Sequence, residues 1–281
     1  MKEKVFLIGE SSKISKIIKY HLKSKYTFLG SSRRHESEYY LDLRNIHNRN
    51  LDLPKNTQKV IITSGMTSIL ECEKNPVEAY QTNVVGTCHL INQLEKLKIN
   101  YLFISSSAVF SMNAINLFEE SSREPSCVYG MNKKEVEDYI ISSNYGSILR
   151  LTKLIDSNFS LLLKWHKRLV SNMHIEAFED LKIAPVTPKS LSNWIDYWLR
   201  NSQKGIYHIS SSNEISYYRL ALELANYFKL STNLIHSKKC CLLEDKPLYI
   251  PIQANLKAKD KRSLISPIND EILEIWKNIS N

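Results

Sequence analysis

The chain has 281 residues, of which 43% are hydrophobic and 24% charged, which excludes a peptide scaffold, a fibrous repeat and a disordered segment. Its 38 Lys and Arg against 29 Asp and Glu leave a formal net charge of +9. That charge suits an anionic ligand, but the basic residues are scattered, which argues against a nucleic-acid arm or a polybasic membrane patch and favours a small anionic molecule. No apolar stretch reaches the roughly 18 residues of a membrane span. Cys72, Cys88, Cys127, Cys240 and Cys241 show neither a C-x-x-C pair nor a Cys/His ligand spacing, and no signal peptide precedes them. Reduced thiols, a cytoplasmic location, no membrane association and no bound metal are the expectations.

In chain order, Val5 to Ile8 reads as a strand ending at Gly9, an amphipathic helix follows to about Lys23, and Tyr26 to Leu29 is the next strand, a βαβ unit. Further strands are expected at Val60–Ile62, Tyr101–Ile104 and Ile148–Leu151, with helices at about 74–97 and 131–143. Alternating strands and helices imply a doubly wound parallel sheet of the α/β class, whose ligands sit beyond the carboxyl ends of the strands. Past Leu151 the alternation loosens: helices at about 159–172, 189–201 and 216–229 surround one clear strand, Ile206–Ile209, among prolines 185, 188, 247, 251 and 267. A smaller, less regular C-terminal lobe is expected.

The turn after the first strand is Gly9-Glu10-Ser11-Ser12-Lys13-Ile14-Ser15, the length of a G-x-x-G-x-x-G dinucleotide turn with serine at the second and third glycine positions. Two readings stand: a pyrophosphate turn lacking the positive-φ freedom of glycine, or a plain strand-to-helix loop capped by Ser11 or Ser12. After the second strand come Ser31, Ser32, Arg33 and Arg34, and guanidinium groups there favour a 2′-phosphate over a 2′-hydroxyl. Tyr129 and Lys133 fall at helical i, i+4 spacing, so an ammonium beside the phenol is expected to lower its pKa into working range. Ser105, Ser106 and Ser107 close the Tyr101 strand, where a hydroxyl can hold a substrate oxygen.

In this order the residues resemble the extended short-chain dehydrogenase/reductase family, in its dTDP-4-dehydrorhamnose reductase-like, sugar-nucleotide reductase and epimerase branch. The fold implied is a Rossmann-type sheet over 1–151, with later contributions from about 180–210, and a substrate-binding lobe mainly over 152–281. The resemblance implies that Gly9, Ser11, Ser12, Lys13 and Ile14 form the cofactor turn, with Ser31, Arg33 and Arg34 near the ribose. Asp42 and Leu43 look like the family's adenine contact, Thr63-Ser64-Gly65 like its loop after the fourth strand, and Asn83 like the Asn brought under the active site. Ser106, Tyr129 and Lys133 would be the catalytic triad, with Lys133 also on the nicotinamide ribose, and Ser107, Ala108 and Arg150 would meet substrate. The activity implied is reduction of a nucleotide-linked 4-keto sugar for surface polysaccharide, with NADP(H) favoured over NAD(H) and a homodimer possible. Ser107-Ala108 stands where the related dehydratases carry Asp-Glu, which argues against dehydration. An epimerase using Cys127 with His166 or His174 is one alternative, and a non-catalytic nucleotide-binding partner protein is another.

Overall fold

A computed structural model describes residues 2–33, 37–48, 51–111, 117–239, 264–265 and 268–279. Arg34, Cys240 and Cys241 lie outside the described residues. The chain divides into two compact units, one of 1–111, 119–151 and 189–208, the other of 112–118, 152–188 and 209–281.

In the first unit the strands are β1 (Glu3–Ile8), β2 (Tyr26–Ser32), β3 (Tyr39–Tyr40), β4 (Lys59–Ile62), β5 (Asn100–Ser106) and β6 (Gly146–Leu151). They lie in the order β6-β5-β4-β1-β2-β3, and every pair with a recorded register is parallel. These strands are nearly continuous apolar runs, as a sheet covered on both faces requires: Val60, Ile61, Tyr101, Leu102 and Leu149 are all fully buried. The register sets Ile8 beside Ser31 and Ile62, and Ile62 beside Phe103, so the loops after β1, β2, β4 and β5 emerge at one edge. The parallel sheet agrees with the sequence expectation.

Helix α1 (Lys13–Leu22) buries Ile18 and Leu22. Helix α2 (Ile69–Lys74) precedes the helical pattern expected over 74–97, which is itself divided into α3 (Pro76–Tyr80), a π-helical turn (Gln81–Gly86) and α4 (Thr87–Lys96). Asn75, at φ −129° and ψ 60°, makes the first break just ahead of Pro76, where a helical conformation is sterically disfavoured. Helix α5 (Val128–Ile141) buries Val136 and Ile140 in a core that includes Phe6, Val60, Leu90 and Phe103.

The second unit holds α6 (Ser160–Val170), the parallel pair β7 (Ile175–Phe178) and β11 (Ile235–Lys238), and the antiparallel pair β8 (Lys182–Ile183) and β10 (Ile215–Ser216). Leu162, Trp165 and Leu169 of α6 pack with Leu220 and Leu224 of α8 (Tyr217–Tyr227) and with Ile275 and Trp276 of α9 (Ile268–Ile279). Helix α7 (Pro188–Asn201) falls almost wholly in the first unit, and β9 (Gly205–Ser211) runs from the first unit into the second. Strand β9 neighbours β6, and its last residues pair with β12 (Leu264–Ile265). Among the described residues no helix is long and apolar enough to cross a membrane, and no group of three or more His, Cys, Asp or Glu could hold a metal ion.

Candidate active site

The turn after β1 begins at Gly9, whose φ of +91° favours glycine and whose added Cβ would lie 2.9 Å from the Ser64 backbone. The second and third turn positions do not use such freedom. Ser12 is extended, at φ −65° and ψ 154°, and Ser15 lies inside α1, fully buried. Ser12 Oγ accepts from Ser15 N at 3.1 Å, capping the helix, and donates to Thr63 Oγ1 at 2.9 Å. Ser15 Oγ meets the same Thr63 oxygen at 2.8 Å, and Thr63 Oγ1 donates to the carbonyls of Ile8 (3.0 Å) or Gly9 (3.1 Å). Of the two sequence readings, the Ser12 cap is present, and the serines also join the turn to the end of β4.

Beside this turn is a cavity of about 270 Å³. It is lined by Gly9, Ser11, Ser12 and Lys13 from the turn, Ser31 at the end of β2 and Arg33 just after it, Asp42 and Leu43, and Thr63, Ser64 and Gly65 after β4. Ile14 is half-buried in α1 and does not line it. Met66, Thr67 and Thr82 line it too, and the sequence reading missed them; Thr82 stood next to Asn83, a usable signal. The buried hydroxyls of Ser31, Ser64 and Thr82 have no hydrogen-bond partner. Each unpaired group costs about 1–3 kcal/mol, so three in one cavity fit a polar ligand that supplies partners. With Lys13, Arg33 and the positive end of α1 alongside, the residues fit an anionic nucleotide.

Asn83 sits in the π-helical turn, outside the cavity wall. Its Oδ1 accepts from Met66 N at 2.7 Å and its Nδ2 donates to Met66 O at 3.0 Å, so it holds the loop after β4 in place. Gly65, at φ +135°, leaves room for that amide. Asp42 is buried, and Arg44 grips it through Nε and through Nη2 at 2.6 Å. The Arg44 hydrogen bonds hold the Asp42 carboxyl below its ordinary range, with Arg33 adding to the effect. Arg44 is a further residue that the sequence reading missed.

Ser106, Tyr129 and Lys133 gather at the carboxyl end of β5. Gly130 lets α5 rest on the Ala108 carbonyl, which a side chain there would strike. Ser106 Oγ accepts from Ala108 N at 3.1 Å. Lys133 Nζ donates to Ile104 O at 2.9 Å and lies 4.3 Å from the centre of the Phe103 ring and 5.8 Å from that of Tyr129. Burial pushes the Tyr129 phenol up, against the downward pull of the Ser106 hydroxyl, and burial lowers Lys133 to about 8. This differs from the expectation that Lys133 draws Tyr129 down: burial sets the direction, with the Cys72 and Cys127 thiols adding to it.

The expected substrate contacts are all buried. Ser107 is fully buried with an unpartnered hydroxyl, and Ala108 is buried beside it. Arg150, expected to meet substrate, is fully buried instead, with its guanidinium bonded to Glu137, the Glu119 carbonyl and His208. It has no surface to offer a ligand. Cys127 Sγ caps α5 by accepting from Gly130 N at 3.3 Å, and burial raises its thiol. In the second unit His166 packs on Phe228 at 4.3 Å between ring centres, and His174 on His236 at 5.6 Å.

A parallel α/β sheet with a loop-lined cavity at its carboxyl edge places the protein in the Rossmann class. The chain belongs to the family described as RmlD substrate binding domain, whose model matches residues 3–259. The spore coat polysaccharide biosynthesis protein SpsK of Bacillus subtilis is 24% identical over 179 residues, which are 63% of this chain and 63% of that protein's length. Among solved structures, a dTDP-4-dehydrorhamnose reductase from Yersinia enterocolitica superposes with a TM-score of 0.80 at 16% identity, covering 99% of this chain and 100% of the other. The dTDP-4-dehydrorhamnose reductase of Bacillus anthracis in complex with NADP gives 0.74 at 20% identity, covering 91% and 92%.

Proposed function

We propose that the protein is an NADPH-dependent reductase of a nucleotide-linked 4-keto sugar, acting in the cytoplasm in the synthesis of a surface polysaccharide. The observation that carries this reading is the gathering of Ser106, Tyr129 and Lys133 at the same sheet edge as a cavity with three unpartnered hydroxyls and two cationic side chains. The names of the relatives support it: one is a spore coat polysaccharide biosynthesis protein, and the other is a dTDP-4-dehydrorhamnose reductase in complex with NADP.

In this reading Gly9, Ser11, Ser12 and Lys13 hold the pyrophosphate, Arg33 takes the 2′-phosphate, and Ser31, Ser64 and Thr82 find in the cofactor the partners they lack. The cofactor, when bound, supplies the hydride. Tyr129 gives its proton to the sugar C4 oxygen, and its raised pKa keeps that proton in place until the carbonyl takes up charge. Lys133 binds the nicotinamide ribose and stabilises the phenolate left behind, while Ser106 orients the carbonyl. Residues of 152–281 select the sugar nucleotide.

The test is NADPH oxidation with a panel of nucleotide-linked 4-keto sugars. Tyr129→Phe should cut turnover by about 10²- to 10⁴-fold while NADPH affinity holds. Firm NADPH binding with no turnover on any sugar would replace this reading with that of a nucleotide-binding partner protein. Replacing Arg33 and Arg34 by Ala should remove most of the preference for NADPH over NADH in a calorimetric titration, and equal affinities in the unmodified protein would refute the 2′-phosphate assignment.

A further inference from the structure

One helical turn beyond Lys133, the Glu137 carboxylate is fully buried, and more cationic charge is gathered around it than one carboxylate needs. Arg150 reaches it through Nε at 3.1 Å and Nη2 at 2.7 Å, Arg123 through Nη1 at 3.1 Å, and Ser105 Oγ donates to it at 2.5 Å. Arg150 is in turn fixed by the Glu119 carbonyl at 2.9 Å and by His208 Nε2 at 3.1 Å, and Arg123 also pairs with Asp138. These donors fix the Glu137 carboxylate in place.

Lys133 has little else to keep its charge. Its Nζ has one carbonyl, Ile104 O, and an aromatic face, Phe103. The titratable groups facing it are Glu137 and Tyr129 on its own helix and Cys72 on α2. Burial raises both the Cys72 thiol and the Tyr129 phenol, so near neutral pH both are uncharged and Glu137 is the one anion of the three. Burial lowers Lys133 to about 8, and the Glu137 charge acts against that fall.

We propose that Glu137 is a positioning residue: clamped by Arg150, Arg123 and Ser105, it keeps a fixed negative charge one turn from Lys133 and so holds Lys133 as an ammonium in an apolar setting. Buried ion pairs contribute little net stability compared with apolar replacements of similar volume, so the cluster is better explained by the charge it fixes than by folding. The role of Lys133 toward a cofactor rests on the proposed function; the charge on Lys133 does not.

The experiment follows Lys133 directly, by ¹³C NMR of protein labelled at the lysine Cε, with the resonance assigned by its loss in Lys133→Arg. In Glu137→Gln the Lys133 midpoint should fall by about one pH unit or more, a tenfold change in the protonation ratio. Because that variant leaves Arg150 uncompensated and can fail to fold, Glu137→Gln/Arg150→Met is measured beside it, with the fold checked by circular dichroism. In the double variant the midpoint should also fall, by less. A midpoint equal to or above that of the unmodified protein, in whichever of the two folds, overturns the proposal. NADPH affinity against pH is a separate arm: its alkaline weakening should move down with the Lys133 midpoint. If the midpoint moves and the affinity does not follow, the assignment of Lys133 to the cofactor fails while that of Glu137 stands.

Discussion

The Thr63 hydroxyl receives Ser12 and Ser15 and passes its own proton to the carbonyl of Ile8 or Gly9, so one oxygen joins β1, α1 and β4. Thr63→Val keeps the shape and strips that junction, leaving Ser15 Oγ buried without a partner. It should cost about 1–3 kcal/mol in urea denaturation. Ser15→Gly puts glycine inside α1, where it costs roughly 0.5–1 kcal/mol beyond the lost hydrogen bond. Under the proposed function Ser15→Gly should leave NADPH binding no tighter in a titration, because the helical Ser15 backbone has no use for glycine freedom. The sequence showed two missing glycines; it did not show that the missing freedom was unneeded, because the partner hydroxyl lies 48 residues further along the chain from Ser15. Arg150 differs for a similar reason. The resemblance assigns it to substrate, whereas its partner, Glu137, sits on a helix whose inward face no single sequence reveals.

Helix α5 has to approach the β5 loop closely, and Gly130 makes the approach possible. Gly130→Ala should drive the helix start away from Ala108, with a loss of about 1–3 kcal/mol in urea denaturation and, in the proposed reductase, a fall in turnover as Tyr129 shifts. Gly86, whose added Cβ would strike the Leu43 carbonyl, should behave alike in stability. The strands β1, β4, β5 and β6 were legible because a strand buried on both faces is a short apolar run between polar loops. The break at Asn75 and the π-helical turn were not, since apolar periodicity averages over a single wide turn. That turn places Asn83 against the Met66 backbone, a typical use of a local departure from α geometry.

Across the whole molecule, burial raises the Tyr26 and Tyr101 phenols, lifts Tyr217 to about 12 and lifts the Cys88 thiol to about 11. In the unfolded chain such groups release their protons near 8.5 for Cys and 10 for Tyr, roughly their free values. Their contribution is therefore intact below that range and is lost as pH rises toward the folded values. Lys133 has the opposite sign: lowered to about 8, it favours the folded state increasingly as pH rises toward its ordinary value. The acids are more numerous, so urea midpoints should be nearly level to pH 9 and fall steeply between 10 and 11. A level profile through pH 11 would contradict the burial of these phenols. The strand order bears on how the protein is made. Strand β6, buried at all six positions, lies between β5 and β9, yet β9 does not begin until Gly205. On the ribosome the stretch 152–188, which belongs to the other unit, emerges while β6 is still an open, sticky edge. Nascent chains halted between Leu151 and Gly205 should therefore depend on chaperones and aggregate without them.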